Sequence, residues 1–243
     1  MMAAAFCDYL TYEYAAVITG ELGPMVLEPV SIGGTEVPTE FALYIPPLLT
    51  LALMMLMFTA AGSVIKEKDK GTLVRLRMSN VLTAEWLCAI TITQVIIGLL
   101  AIALTYLTAL SLGYRSAGSM VSVVFVTVLS SMAIVGVSMV VAAALRTVFD
   151  LVTIGSFPFF ILMFFSGGMF PIPDIQLFTL GSRTINANDV LPTTHSIAAY
   201  DRIMSNGGGL GDVMFELGAI TVLAVAFFLV GTWAFTRRHM VAR

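Results

Sequence analysis

Charge is scarce in this sequence. Charged residues make up 11% of the 243 residues, whereas 58% are hydrophobic. A soluble domain carries about 25% charged residues, so the shortage excludes an ordinary soluble protein and indicates an integral membrane protein with one domain of several helices. The net charge is −3, and no basic patch is interleaved with aromatic residues. We therefore expect no nucleic-acid partner.

The sequence also lacks the motifs of common catalytic and metal sites. Lys70-Gly71-Thr72 is only a fragment of the phosphate-binding loop, because no glycine-rich run precedes it. Cys7 and Cys88 form no disulfide or metal framework and are interpreted as two unpaired small hydrophobic residues. We predict that the chain is not an enzyme and carries neither a cofactor nor a metal.

Long apolar runs are what the sequence does contain. About 20 apolar residues cross a bilayer as a helix, and five such runs are predicted spans: residues 41–65, 86–113, 117–145, 151–170 and 217–236. The predicted fold class is an all-α integral membrane protein, with five transmembrane helices in a membrane domain (41–243) and a small outer N-terminal segment (1–40). A short strand, turn and strand is expected between Met25 and Val37, and short re-entrant or interfacial helices between residues 172 and 212.

The basic residues predict the orientation of the chain. Alternate loops form two sets, and the set rich in Lys and Arg stays in the cytoplasm. One set holds nine cations: Lys66, Lys68, Lys70, Arg75, Arg77, Arg146, Arg237, Arg238 and Arg243. The other holds three: Arg115, Arg183 and Arg202. We predict a multi-pass protein of the cytoplasmic membrane, with its N-terminus outside and its C-terminus in the cytoplasm.

The predicted spans contain no Asp, Glu, Lys or Arg. Ion-coupled carriers keep such groups inside the membrane, so an ion gradient is not the expected energy source. Gln94, Ser130 and Ser131 are the polar residues that could line a solute pathway. The alternative is hydrogen bonding and close packing between helices, which such residues serve more often.

The loop between the first two spans, from Lys66 to Glu85, carries a dense group of charges. Within it Leu73, Leu76 and Val81 recur at a spacing typical of one helix face. This pattern predicts an amphipathic helix outside the membrane, which would give another protein a surface to dock on. The alternative is a charge cluster that only fixes the topology.

Three segments resemble conserved regions of type-two ABC transporter permeases, the export class that handles drugs, polysaccharides and lipids. Residues 66–87 (KEKDKGTLVRLRMSNVLTAEWL) are similar to the first cytoplasmic loop of that family. Residues 165–172 (FSGGMFPI) are similar to a region at the outer end of a span, and residues 191–195 (LPTTH) to a segment of the last outer loop. The order of the three segments and the topology between them also match.

The resemblance implies that this chain is the membrane-spanning permease subunit of an ATP-driven exporter. Its first loop would form the coupling helix that docks on a separate ABC-type ATPase, through Lys66, Glu67, Lys70, Gly71, Thr72, Leu73, Leu76, Ser79 and Glu85. The outer gate would comprise Phe165, Gly167, Gly168, Phe170, Pro171, Pro192, Thr194 and His195. The permease would work in the lipid bilayer as a homodimer or a heterodimer with another permease. The apolar spans suggest an apolar or amphipathic substrate.

The chain departs from the family pattern at three places, one of which is Ile90 or a neighbour, where a lysine often follows the Glu-x-Leu. Asn80 stands where a proline is usual. The family normally begins with one more membrane span and an outer domain, so we expect either a truncated chain or a partner that supplies the first helix. This departure supports an alternative function as a non-transporting immunity or assembly factor derived from a truncated permease.

Overall fold

A computed structural model of the protein describes residues 40–71, 83–168, 176–180 and 183–240. The predicted outer segment 1–40, with its strand–turn–strand, lies almost wholly outside these residues. The helices are α1 (Glu40–Met54), α2 (Leu56–Asp69), α3 (Thr83–Ser111), α4 (Met120–Ala144), α5 (Val148–Thr153), α6 (Ser156–Phe165), α7 (Pro192–Met204) and α8 (Met214–Phe235). Short 3₁₀ turns precede α7 and α8, and a π-helical turn, Thr236–Met240, follows α8.

Five helical stretches in the described part of the chain are long and apolar enough to cross a membrane: Leu43–Asp69, Glu85–Ser111, Met120–Ala144, Val148–Phe165 and Leu210–Arg238. The predicted helical membrane fold with five spans is therefore confirmed. The first stretch combines α1 and α2, and the fourth combines α5 and α6. A two-stranded antiparallel hairpin, β1 (Gln176–Leu180) and β2 (Arg183–Asn186), adds a small amount of strand to the all-helical prediction.

Helix α4 lies at the centre of the bundle and is buried along most of its length. It packs against α2, α3, α7 and α8. Its contact with α8 is close because two glycines lie at the crossing: a Cβ at Gly231 would stand 2.6 Å from Met139 Cβ, and one at Gly136 would stand 3.1 Å from Phe227 Cβ. Small residues let membrane helices approach closely in this way.

The helices that surround α4 expose apolar side chains on their outer faces. Leu100 and Leu104 of α3 and Val222 and Leu229 of α8 are each at least 60% exposed. In water such faces would be unfavourable, but in a bilayer they contact lipid tails that are as apolar as they are. The hydrophobic exterior therefore agrees with the membrane assignment made from composition.

The helices run further than the apolar runs that predicted them. Helix α2 continues through Lys66 to Asp69, and α8 begins two residues before Glu216. A helix can leave the hydrocarbon and continue in water, because its backbone hydrogen bonds are internal. The prediction of charge-free spans thus applies to the apolar runs only, and the terminal turns of the helices carry charged residues.

The short helix α7 lies in the segment predicted to contain re-entrant or interfacial helices. With 13 residues it is too short to cross a bilayer. It begins at Pro192, where the missing N–H costs little because the first N–H groups of a helix have no partner within it. One of its faces is buried against α1, α4 and α8.

Candidate functional site

One end of the bundle, which we call the cation end, gathers the C-terminal ends of α2, α4 and α8 and the start of α3. Lys68 Nζ donates a hydrogen bond to the carbonyl of Leu145 at 3.5 Å, which places the end of α2 beside the end of α4. The rings of Trp86 and Phe235 lie 5.9 Å apart, which places the start of α3 beside the end of α8. The predicted docking loop therefore leaves and re-enters the bundle at this end.

The described start of the docking loop contains both exposed and half-buried residues. Lys66 and Lys70 are exposed, and Lys70 Nζ lies 3.4 Å from Glu67 Oε1. Exposed pairs of this kind contribute little to stability, so these charges are available to a partner. Gly71 ends the segment with φ +71°, a conformation that disfavours other residues.

The centre of the docking loop lies outside the described residues. This part includes Thr72, Leu73, Leu76 and Ser79 together with the predicted amphipathic helix. The chain is described again from Thr83, and Glu85 is exposed in the first turn of α3. A carboxylate there is favoured by the helix dipole.

Three of the nine cations predicted for one side of the membrane converge at the cation end. Lys68, Arg146 and Arg238 line one cavity of about 540 Å³ together with Ala143, Ala144 and Leu145. The Arg238 guanidinium donates to the carbonyls of Ala143 at 3.1 Å and Ala144 at 3.3 Å. The sequence analysis counted these cations but did not predict that they form a cluster, because they come from three segments that are far apart in sequence.

The opposite end of α4, which we call the α7 end, holds the described residues of the predicted outer gate. Phe165 ends α6, and Gly167 turns the chain with φ +77°. Gly168 lies so close to α7 that a Cβ there would stand 2.7 Å from Ile197 Cδ1 and 3.3 Å from Pro47 Cβ. Phe170 and Pro171 fall outside the described residues.

An apolar cavity of about 120 Å³ lies beside this turn, between α1, α6 and α7. It is lined by Tyr44, Pro47, Leu48, Leu51, Met54, Met163, Ser166, Gly168 and Ile197. The predicted gate residue Gly168 and the first span thus meet at one cavity, although Gly168 and Pro47 are more than 100 residues apart in sequence.

The remaining gate residues have structural partners at the start of α7. Pro192 is buried, and the Thr194 hydroxyl donates to the Asn188 carbonyl at 2.8 Å. His195 Nε2 lies 3.0 Å from the Asp189 carbonyl oxygen, and its ring meets Phe215 edge-on at a centroid distance of 6.1 Å. These contacts hold the helix start in place and do not pair His195 with a nucleophile.

Ser130, one of the polar residues of the possible pathway, is hydrogen-bonded to another helix. Ser130 Oγ of α4 lies 2.7 Å from Ser196 Oγ of α7, and Thr127 Oγ1 lies 2.9 Å from Tyr200 Oη one turn away. Burial raises the pKa of Tyr200, so the phenol stays neutral in this contact. This geometry favours the helix-packing interpretation for Ser130.

Gln94 and Ser131 lie elsewhere in the bundle, where α2, α3 and α4 meet. The Thr59 hydroxyl donates to Gln94 Oε1 at 2.8 Å, and Gln94 is 3% exposed. Ser131 is fully buried, and its Oγ has no hydrogen-bond partner within the described part of the chain. Within the described residues Ser130 thus contacts α7, whereas Gln94 contacts α2.

A buried ion pair at the α7 end was not predicted. Arg202 Nη1 of α7 lies 2.9 Å from Glu216 Oε1 of α8, and the glutamate side chain is only 4% exposed. Arg202 also donates to the Asp212 carbonyl at 3.4 Å. Because each residue lies outside the apolar runs, hydropathy gave no sign of a pair, and only the packing of α7 against α8 brings them together.

Comparison with known proteins identifies the class of protein that this fold represents. The sequence model of the ABC-2 type transporter family matches residues 19–199, which is well over half of the chain. The chain belongs to the ABC-2 type transporter family, whose membrane domain is a transport subunit and not itself catalytic. No curated protein matches the chain, and no solved structure matches it.

Proposed function

We propose that this protein is the permease subunit of an ATP-driven exporter for an apolar or amphipathic substrate. The observation that carries the proposal is the match to the ABC-2 type transporter family over residues 19–199, in a bundle with five membrane helices. ATP would be hydrolysed by a separate ABC-type ATPase, since the sequence contains no phosphate-binding loop of its own.

The docking loop 66–85 is the proposed contact with the ATPase, and the cation end then faces the cytoplasm, with the N-terminal segment outside. Helix α2 supports this role because it runs without a break from buried Leu56 to charged Asp69. Its buried residues, among them Ala60, Ala61 and Val64, pack it against the bundle. A displacement at Lys66–Gly71 would therefore move a stiff helix and not only a surface loop.

The apolar cavity at the α7 end is the proposed outer gate. It lies where α1 meets the Ser166–Gly168 turn and α7, and α1 is joined to α2 at Met55. A movement of α2 would therefore be passed through α1 to the cavity wall. The apolar lining agrees with an apolar or amphipathic substrate. Two permease chains, identical or different, would enclose the complete pathway.

The experiment that tests this function is co-purification with the ATPase. The chain is co-expressed with an ABC-type ATPase from its genomic neighbourhood, as wild type and as the triple variant Gly71→Asp, Leu73→Asp, Leu76→Asp. We expect the variant to insert normally and to retain the ATPase at least about tenfold less well, as the loss of a central apolar contact requires.

The matched control carries three aspartates at exposed apolar residues of the α7 end: Leu112→Asp, Val190→Asp and Met214→Asp. It should retain the ATPase as wild type does. If the natural chain retains no ATPase, or if both triple variants lose it equally, the coupling mechanism is wrong. A non-transporting immunity or assembly factor would then be the better description.

A further inference from the structure

The cavity at the cation end has a charge imbalance that the transport function does not explain. Lys68 of α2, Arg146 of the connection between α4 and α5, and Arg238 of the turn after α8 line it. Within the described ranges, no carboxylate lies within 4.0 Å of these three cations, and the two ion pairs found there involve other residues. The nearby Asp150 carboxylate instead accepts the backbone N–H groups of Arg146 and Thr147 at 3.1 and 3.0 Å.

The partners that the cations do have are backbone carbonyls at the end of α4. Lys68 and Arg238 donate to the carbonyls of Ala143, Ala144 and Leu145. The C-terminus of a helix carries about half a negative charge, which offsets only part of three positive charges. The Asp69 and Asp150 carboxylates also act on Lys68 at longer range, but within the described residues neither forms an ion pair with the three cations. The pocket is therefore a cluster of cations that an anion with several oxygens would complete.

The depth of the pocket indicates which anion is available. The cations follow the apolar part of each helix directly: Lys68 comes three residues after Ile65, and Arg238 three residues after Phe235. Trp233, 61% exposed, lies at the same level with the Arg237 guanidinium 5.2 Å from its ring centroid. Tryptophan and arginine are typical of the membrane–water interface. The pocket thus lies at the level of the lipid headgroups, where phosphate is abundant.

We propose that the pocket formed by Lys68, Arg146 and Arg238 binds the phosphate of an anionic phospholipid. Its volume of about 540 Å³ lies within the range of about 300–1,000 Å³ that is usual for small-molecule sites. Basic pockets between membrane helices bind anionic headgroups by the same attraction. The bound lipid would tie the ends of α2, α4 and α8 together, beside the docking loop. This site does not depend on the transport function.

The test compares phosphatidylglycerol with phosphatidylcholine as ligands of the purified full-length chain in detergent, with lipid binding measured by native mass spectrometry. We expect phosphatidylglycerol to be retained preferentially. The double variant Lys68→Gln, Arg146→Gln should bind it about 25-fold more weakly, since each cation near the surface contributes about fivefold. This variant leaves Arg238 and its hydrogen bonds to α4 intact. If it fails to fold, the single variant Arg146→Gln, at an exposed residue, should show about a fivefold loss.

The control is Lys66→Gln, Lys70→Gln, which removes the same charge at the same end but touches no residue of the pocket. It should bind phosphatidylglycerol within about twofold of wild type. Equal weakening in both double variants would show only non-specific surface attraction and would overturn the proposal. So would displacement of the lipid by millimolar inorganic phosphate, which would make the site one for a free anion. A third contrary result is unchanged lipid binding with loss of the ATPase, which would assign the cations to a protein contact.

Discussion

Charged side chains have different kinds of partner at the two ends of α4. At the α7 end, Arg202 and Glu216 form an ion pair of 2.9 Å within the protein, and the glutamate is buried. At the cation end, the partners of Lys68 and Arg238 within the described residues are backbone carbonyls. A buried charge must be paired inside the protein, because burial without a partner costs several kcal/mol. A charge near water is hydrated, so it needs no partner inside the protein and stays able to bind a ligand from outside. The Glu216 charge at the α7 end therefore has its cation inside the protein, and the cation end is open to ligands.

The largest difference between the two ends is expected when one charge of the ion pair at the α7 end is removed. Arg202→Ala leaves the Glu216 carboxylate buried without its cation, which we expect to lower the free energy of unfolding by about 3 kcal/mol. This figure is at the low end of the range because the Arg202 side chain is 42% exposed. Thermal unfolding in detergent measures the change. Arg146→Gln at the cation end should change stability by less than about 0.5 kcal/mol. Equal effects would remove the distinction between the ends.

A smaller effect is expected from crowding the α7 end without changing its charge. A Cβ at Gly118, in the connection between α3 and α4, would overlap the Ile203 carbonyl of α7. We expect Gly118→Ala to destabilise the protein by about 2 kcal/mol, as overpacking does. Gly218→Ala in α8 is the control, since nothing lies within 4 Å of the added atom, and it should be neutral or stabilising. If the two variants have the same protease resistance and the same unfolding temperature, α7 does not pack against Gly118 as described.

The smallest effect concerns a single hydrogen bond between α4 and α7. Ser130→Ala removes the contact with Ser196, whose hydroxyl still donates to the Pro192 carbonyl at 2.8 Å. We expect a loss of about 0.6 kcal/mol, the average for hydrogen bonds between membrane helices. Ser138→Ala on the same helix is the control, because the Ser138 hydroxyl bonds only the Val135 carbonyl of its own helix. A Ser138 variant that is equally destabilised would show that the contact with α7 contributes nothing.

Much of the fold could be predicted because membrane helices are defined by apolar length. The five predicted runs correspond to five helical stretches, and the first was drawn to Ile65 although the helix continues to Asp69. The error has a physical cause: hydropathy locates the edge of the hydrocarbon and not the end of the helix. The hairpin at Gln176–Asn186 was not predicted, since it is short and lies in a polar segment.

The candidate site could be predicted less completely. Gly168 and Pro192 were predicted to be gate residues by resemblance, and both lie at the α7 end. The partners of those residues were not identified. Ser130 was considered for a solute pathway, but its contact with Ser196 depends on how α7 folds back onto α4. A pattern of residues along one helix does not contain that information.

The sequence by itself determined that this protein resides in a membrane, that five of its described segments are long and apolar enough to span it, and that it belongs to the ABC-2 type transporter family. These properties follow from composition, apolar length and local motifs, which act within one segment at a time. Only the tertiary structure decided that Lys68, Arg146 and Arg238 share one cavity and that Arg202 meets Glu216. Such meetings depend on the rotation and close approach of helices, which are set by packing between segments distant in sequence.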